Sequence, residues 1–110
     1  MDINEMKKDK ATVITIEGRL DSSTSGILEK KLLSLMDTGE KNFLLDFSGM
    51  DYISSAGLRV LLMVAKKSKT AKGKVLLSAL TDNVKEVFDI AGFTDIFTIF
   101  ATAEEALKDF

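Results

Sequence analysis

A short apolar run followed closely by an apolar helix constrains the fold of this chain more than any other feature. Residues 42–47 (Asn-Phe-Leu-Leu-Asp-Phe) are nearly continuous in apolar side chains, which is typical of a strand covered on both faces. Residues 58–65 carry apolar side chains at helical spacing and over much of the remaining surface, so this helix is expected to be heavily buried. The pair favours a layered domain with helices packed on a sheet.

The rest of the chain continues this alternation after an opening hairpin. The hairpin is predicted from residues 3–8 and the alternating, β-branched run 11–18, with polar residues between them. Further strands are predicted at 42–47, 75–79 and 97–100, and helices after the serine-rich segment 21–25, near Ser54, from Thr81 and after Thr102. The sequence therefore predicts one α/β domain over residues 1–110, with a mixed β-sheet of four to five strands and about four helices.

Composition places the chain among ordinary globular proteins. Of its 110 residues, 45% are hydrophobic and 29% are charged, a balance too apolar for disorder and too interrupted for a membrane span. The formal net charge of −2 shows no basic excess, so we expect neither a nucleic-acid nor a membrane partner. The first ten residues are charged and lack the apolar run of a signal peptide. We expect a monomer in the cytoplasm.

The chain contains neither cysteine nor histidine. Their absence removes thiolate nucleophiles, the commonest general base and the usual nitrogen and sulfur ligands of metals. Ser-His-Asp and Cys-His catalysis are therefore excluded, and an enzyme would have to use serine-lysine or carboxylate chemistry. We predict no catalytic residue, no metal site and no cofactor.

Residues 50–58 (Met-Asp-Tyr-Ile-Ser-Ser-Ala-Gly-Leu) place two hydroxyls and a glycine where a strand turns into the apolar helix. If the helix begins near Ser54, the free N–H groups of its first turn favour a nearby negative charge. The small side chains of Ala56 and Gly57 would allow another protein's backbone to approach, with Tyr52 and Leu58 as apolar contacts on either side. The simpler alternative is that Ser54 only caps the helix and Gly57 only relieves crowding.

Two other polar segments have ordinary structural explanations. The short oxygen-bearing side chains of residues 21–25 suit the capping of the first helix. Lys66, Lys67, Lys69, Lys72 and Lys74 cluster at and beyond the end of the second helix, where positive charge complements the helix dipole. Phosphate binding by these lysines is the alternative.

Three segments of the chain form a further pattern: Gly18-Arg19-Leu20-Asp21, then residues 43–47 followed by 50–58, and finally Ala91-Gly92-Phe93. Together they resemble the STAS family, and within it the small stand-alone anti-sigma factor antagonists of bacteria. Each segment alone is a weak signal, but their order and spacing are fairly specific. The resemblance covers nearly all of the chain and implies a STAS fold.

The resemblance also implies roles for individual residues. The family's regulatory phosphorylation site is the serine two positions before the glycine, which is Ser55 here. The implied partner-binding surface comprises Asp21, Ser22, Ser23, Tyr52, Ser54, Ala56, Gly57 and Leu58. Ser54 stands where family members often have aspartate, and Ala56 where they often have serine or threonine. Ser54 is therefore a competing phosphate acceptor, although Ser55 is favoured.

By resemblance, the unmodified protein binds an anti-sigma factor that is also a serine kinase and so frees the sigma factor. Phosphorylation by that partner would release the protein, a separate serine phosphatase would restore it, and the protein itself would catalyse nothing. One alternative is a STAS interaction module of a stress-signalling scaffold with a different partner. Two further alternatives are a hydrolase that uses Ser55 with a lysine base, which lacks a Gly-x-Ser-x-Gly elbow, and a nucleotide site, which lacks a P-loop.

Overall fold

A computed structural model describes residues 1–110 as six strands and four α-helices that alternate after an initial hairpin. The elements are β1 (Asp2–Lys7), β2 (Thr12–Leu20), α1 (Ser25–Asp37), β3 (Asn42–Asp46), β4 (Met50–Ile53), α2 (Ser55–Thr70), β5 (Lys74–Ser78), α3 (Asp82–Ala91), a 3-10 turn (Phe93–Asp95), β6 (Thr98–Phe100) and α4 (Ala103–Leu107). The predicted α/β class, the opening hairpin and the number of helices are confirmed.

The strands form one mixed sheet whose main path runs β1-β2-β3-β5-β6. β1 pairs antiparallel with β2, with Asp2 opposite Glu17 and Lys7 opposite Thr12. The pairs β2–β3, β3–β5 and β5–β6 are all parallel. Parallel neighbours need crossover connections, and α1, α2 and α3 provide them.

The sheet has one strand more than the four to five expected, because the segment before α2 is itself a strand. β4 lies off the main path and pairs parallel with the last residues of β2. Residues 12–15 of β2 pair with β3, whereas residues 18–20 pair with β4, with a register shift between Gly18 and Arg19. Gly18 has a φ of +95°, a conformation that favours glycine, so β2 can bend from one neighbour to the other.

The helices cover the two faces of the sheet unequally. The main core lies between the sheet and α1, α2 and α3, and its largest fully buried side chains include Phe43, Phe47 and Phe88. A smaller cluster on the opposite face joins Leu44 and Leu76 to Ala106 of α4. β3 is thus apolar on both faces, as its continuous apolar run predicted.

The ends of the helices show which polar residues act as caps. Gly39 and Gly92 have φ angles of +100° and +77° just beyond α1 and α3, so they end these helices as predicted. The Thr102 hydroxyl caps α4 by accepting the Glu105 N–H at 3.2 Å. The capping predicted for residues 21–25 is wrong in its detail, because the Thr24 side chain at the start of α1 makes no capping hydrogen bond. None of the four helices is long and apolar enough to cross a membrane.

Phe88→Ala should lower the free energy of unfolding by about 3–5 kcal/mol, since truncating a fully buried aromatic side chain leaves a cavity. The Phe88 ring lies 6.1–6.2 Å, centre to centre, from the rings of Phe47, Phe93 and Phe97. Urea unfolding measures the loss. Ile90→Ala on the same helix is the control, because Ile90 is 80% exposed and its loss should change stability by less than about 0.5 kcal/mol. Similar losses in both variants would contradict the packing.

Candidate functional site

The start of α2 lies directly against the end of β2. The Ser54 N–H donates to the Leu20 carbonyl oxygen at 2.9 Å. A Cβ atom built on Gly57 would lie 2.8 Å from Leu20 Cγ, 2.9 Å from Ile53 Cγ1 and 3.0 Å from the Leu20 carbonyl oxygen. Only glycine fits this contact without displacing its neighbours. The contact places the end of β2, which leads into the loop at residue 21, against residues 54 and 57.

Ser54 is the capping residue of α2. Its backbone is extended, with φ −102° and ψ 175°, and its hydroxyl accepts the Gly57 N–H over a long 3.5 Å contact. Its carbonyl oxygen accepts the Leu58 N–H at 3.0 Å, which begins the helical ladder. Ser54 is half-buried, so both its side chain and its backbone serve the helix start.

Ser55 is the first residue of α2 and is exposed. Its hydroxyl makes no hydrogen bond with any other group of the protein, in contrast to the Ser54 hydroxyl. The N–H groups of Ser55 and Ala56 precede the helical ladder, and the positive end of the helix dipole lies here. A negatively charged group attached to the accessible Ser55 hydroxyl would therefore be electrostatically favourable here.

The loop between β2 and α1 is organised around the Asp21 carboxylate. Its Oδ1 accepts the Ser23 N–H at 3.0 Å and the Ser23 hydroxyl at 2.7 Å. The Thr24 hydroxyl donates to the Arg19 carbonyl oxygen at 2.8 Å and accepts the Asp21 N–H at 2.9 Å. The hydroxyls that were predicted to cap α1 therefore fix the loop instead. The hydrogen bonds from Ser23 also lower the pKa of Asp21 below its ordinary value.

Arg19 links this loop to β4. Its Nε lies 3.5 Å from Asp21 Oδ2, and its guanidinium carbon lies 4.3 Å from the centre of the Tyr52 ring. Tyr52 is 38% exposed and pairs with Arg19 in the ladder between β2 and β4. Sequence reasoning named Arg19 only as part of the segment 18–21 and did not predict its contact with Tyr52. That contact depends on the pairing of β4 with β2, which was not predicted.

The predicted partner-binding residues divide into two groups. The first group reaches the surface and comprises Asp21, Ser22, Ser23, Tyr52, Ser54 and Ala56. Gly57 and Leu58 are buried, and Leu58 is only 6% exposed, so the expectation that they face a partner is wrong. Both residues lie on the inner face of α2. Gly57 packs against Leu20 and Ile53, and Leu58 packs in the main core.

A cavity of about 520 Å³ lies at the opposite end of α2. It is lined by the final turns of α1 and α2 and by Lys41, Lys66 and Lys67. Both helices end here, and the C-terminal end of a helix carries a partial negative charge that disfavours anion binding. The lysines offset this negative potential. Lys66 is about 16 Å along the helix from Ser55, by the rise per residue, so this cluster supplies no base to Ser55.

Comparison with known proteins identifies the family. The model of the STAS domain matches residues 2–106. The chain belongs to the STAS domain family. The resemblance predicted from the sequence is thus confirmed over almost the whole chain.

Relatives of this STAS chain have been named for one regulatory role. BtrV of Bordetella bronchiseptica, provisionally named an anti-sigma factor antagonist, is 39% identical over 104 residues, covering 94% of this chain and 90% of BtrV. The anti-sigma-B factor antagonist of Bacillus subtilis is 29% identical over 110 residues, covering 98% of this chain and all of that protein (100%).

Solved STAS structures share the fold. The anti-sigma factor antagonist SpoIIAA in its unphosphorylated form matches with a TM-score of 0.86 at 19% identity, over 98% of this chain and 95% of that chain. SpoIIAA of Bacillus in its phosphorylated form matches with a TM-score of 0.77 at 20% identity, over 98% of each chain. At this level of identity the likeness establishes the fold alone.

Gly57→Ala should destabilise the STAS fold by about 1–3 kcal/mol, because the new methyl group would overlap Leu20 and Ile53. Gly26→Ala in the first turn of α1 is the matched control, since a Cβ there meets nothing within 4 Å. That substitution should stabilise the protein by up to about 1 kcal/mol through the higher helix propensity of alanine. Urea unfolding of both variants measures the difference, and a neutral Gly57→Ala would contradict the close contact.

Ser23→Ala should raise the pKa of Asp21 toward its ordinary value of 3.8, because the carboxylate loses a hydroxyl donor. A carboxyl carbon NMR titration measures this change, and Ser22→Ala should leave it unaltered. Since the folded-state pKa is lowered, the stabilisation is complete above pH 3.8 and is lost as the pH falls through the folded-state pKa. The stability difference between parent and Ser23→Ala should therefore fade in acid. Persistence of the full difference there would refute the linkage.

Proposed function

We propose that the protein is an anti-sigma factor antagonist controlled by phosphorylation at Ser55. The unmodified form binds an anti-sigma factor that also has serine kinase activity, and the sigma factor is thereby freed. The kinase phosphorylates Ser55 and the complex dissociates, after which a serine phosphatase regenerates the binding form. The protein acts in the cytoplasm as a regulator and not as an enzyme.

The observation that carries this proposal is the different state of the two adjacent serines. The Ser55 hydroxyl is exposed and makes no hydrogen bond within the protein, whereas the Ser54 hydroxyl is half-buried and caps α2. A kinase needs a free hydroxyl that can enter its active site. The Ser54 hydroxyl oxygen instead accepts the Gly57 N–H, so the Ser54 side chain is held against the first turn of α2.

The relatives support the regulatory class. Two STAS proteins that align with over nine-tenths of this chain are named anti-sigma factor antagonists, the Bordetella protein provisionally. SpoIIAA, which shares the fold, has been solved in both unphosphorylated and phosphorylated forms. A phosphorylation switch is therefore compatible with this fold.

Charge accounts for release of the partner. A phosphoryl group adds about −1.5 to −2 charges at pH 7 beside the Asp21 loop. Docking would have to desolvate that dianion, and a difference of about 1.4 kcal/mol lowers affinity tenfold. The start of α2 tolerates negative charge, so the fold should stay the same in both states.

Incubation with the kinase that co-purifies with the protein and with ATP should add one phosphate, located at Ser55 by mass spectrometry. Ser55→Ala should remain unmodified and bound to the partner, whereas Ser54→Ala should still be phosphorylated. Phosphorylation at Ser54 would refute the site. A partner without kinase activity, such as a scaffold protein, would refute the sigma-factor cycle.

A further inference from the structure

The two arginines of the chain, Arg19 and Arg59, both lie at the end of the molecule that carries Ser55. Arg19 is already engaged by Asp21 and by the Tyr52 ring. Arg59 is exposed and forms none of the protein's three ion pairs, which join Lys7 to Glu40, Arg19 to Asp21 and Lys31 to Glu5. Arg59 is therefore a free guanidinium near the site.

The position of Arg59 within α2 is electrostatically unfavourable in the unmodified protein. It lies in the second turn, close to the positive end of the helix dipole, where anionic side chains are preferred. The first turn contains no acidic residue, and the sequence of α2 contains no aspartate or glutamate at all. No carboxylate on the same helix can pair with Arg59.

Ser55 and Arg59 are four residues apart and both are exposed, so they are neighbours on the outer face of α2. An acidic group four residues before a basic group is the better order for an ion pair on a helix. Arginine also binds phosphate oxygens through two parallel N–H donors. A phosphate on Ser55 would interact favourably with both Arg59 and the helix dipole.

We propose that Arg59 is the intramolecular partner of phosphorylated Ser55. In the unmodified protein, Arg59 offers its charge to a carboxylate on the docking partner. Phosphorylation captures the guanidinium, so one modification adds an anion to the surface and removes its free cation. The proposal rests on Ser55 as the modified residue in the proposed function. It assigns Arg59 the role of ion-pair partner to the phosphate.

The first test needs neither kinase nor partner, because phosphoserine is incorporated at position 55 during translation. Phosphorus NMR then follows the second ionisation of the phosphate in the parent, Arg59→Gln and Lys69→Gln. The midpoint should rise by about 0.3 pH units in Arg59→Gln, as expected for loss of an i,i+4 ion pair to the dianion. Lys69→Gln removes the same charge far along α2 and should leave the midpoint unchanged.

Equal midpoints in the parent and Arg59→Gln would overturn the ion pair. A rise in Arg19→Gln with none in Arg59→Gln would transfer the role to Arg19 and would equally overturn the assignment. Because these outcomes depend on phosphoserine alone, they stay informative if the natural partner is not an anti-sigma factor.

The second test measures binding of the co-purifying partner to the parent and Arg59→Gln, each unmodified and with phosphoserine at 55. Unmodified Arg59→Gln should bind at least threefold more weakly than the parent. Phosphorylation should then reduce the affinity of Arg59→Gln by a smaller factor than that of the parent, because the cation has already been lost. If phosphorylation instead lowered the affinity of the parent and of Arg59→Gln by the same factor, the binding of Arg59 by the phosphate would have no part in the switch.

Discussion

The contact between Leu20 at the end of β2 and the first turn of α2 is the constraint on which the rest of the site depends. A backbone hydrogen bond of 2.9 Å joins Ser54 to Leu20, and Gly57 packs where even a methyl group would overlap. This contact fixes how far α2 can approach the sheet. It also brings the loop after β2 and the start of α2 to one surface, although they are far apart in the chain.

Because of that contact, the adjacent serines Ser54 and Ser55 have different surroundings. Ser54 bonds to β2 through its N–H and faces its own helix with its hydroxyl, so it belongs to the scaffold. Ser55 is turned outward, and its hydroxyl makes no hydrogen bond that the proposed phosphorylation would break. The helix start also supplies a positive potential for an added phosphate. The proposed change of charge without a change of fold depends on this rigid contact and on the free hydroxyl of Ser55.

The loop and β4 give the neighbouring surface a fixed shape. The Asp21 carboxylate and the Thr24 hydroxyl hold the loop through local hydrogen bonds, while Arg19 spans from Asp21 to the Tyr52 ring. Such a prearranged surface loses little conformational freedom when a partner binds. Arg59 differs from this network, since it forms none of the three ion pairs of the protein.

Local residue patterns alone determined most of the fold: the hairpin, the buried β3, the helix ends at Gly39 and Gly92, and a helix that begins near Ser54. These features depend on periodicity and on backbone preferences of single residues, which short segments carry by themselves. Only the tertiary structure decided that Met50–Ile53 pairs with β2 and that Leu58 is buried. A four-residue strand has too few residues to show its period, and which face of a helix is covered depends on distant neighbours. The sequence thus predicted the candidate site, and the packing of β2 against α2 decided which of its side chains reach the surface.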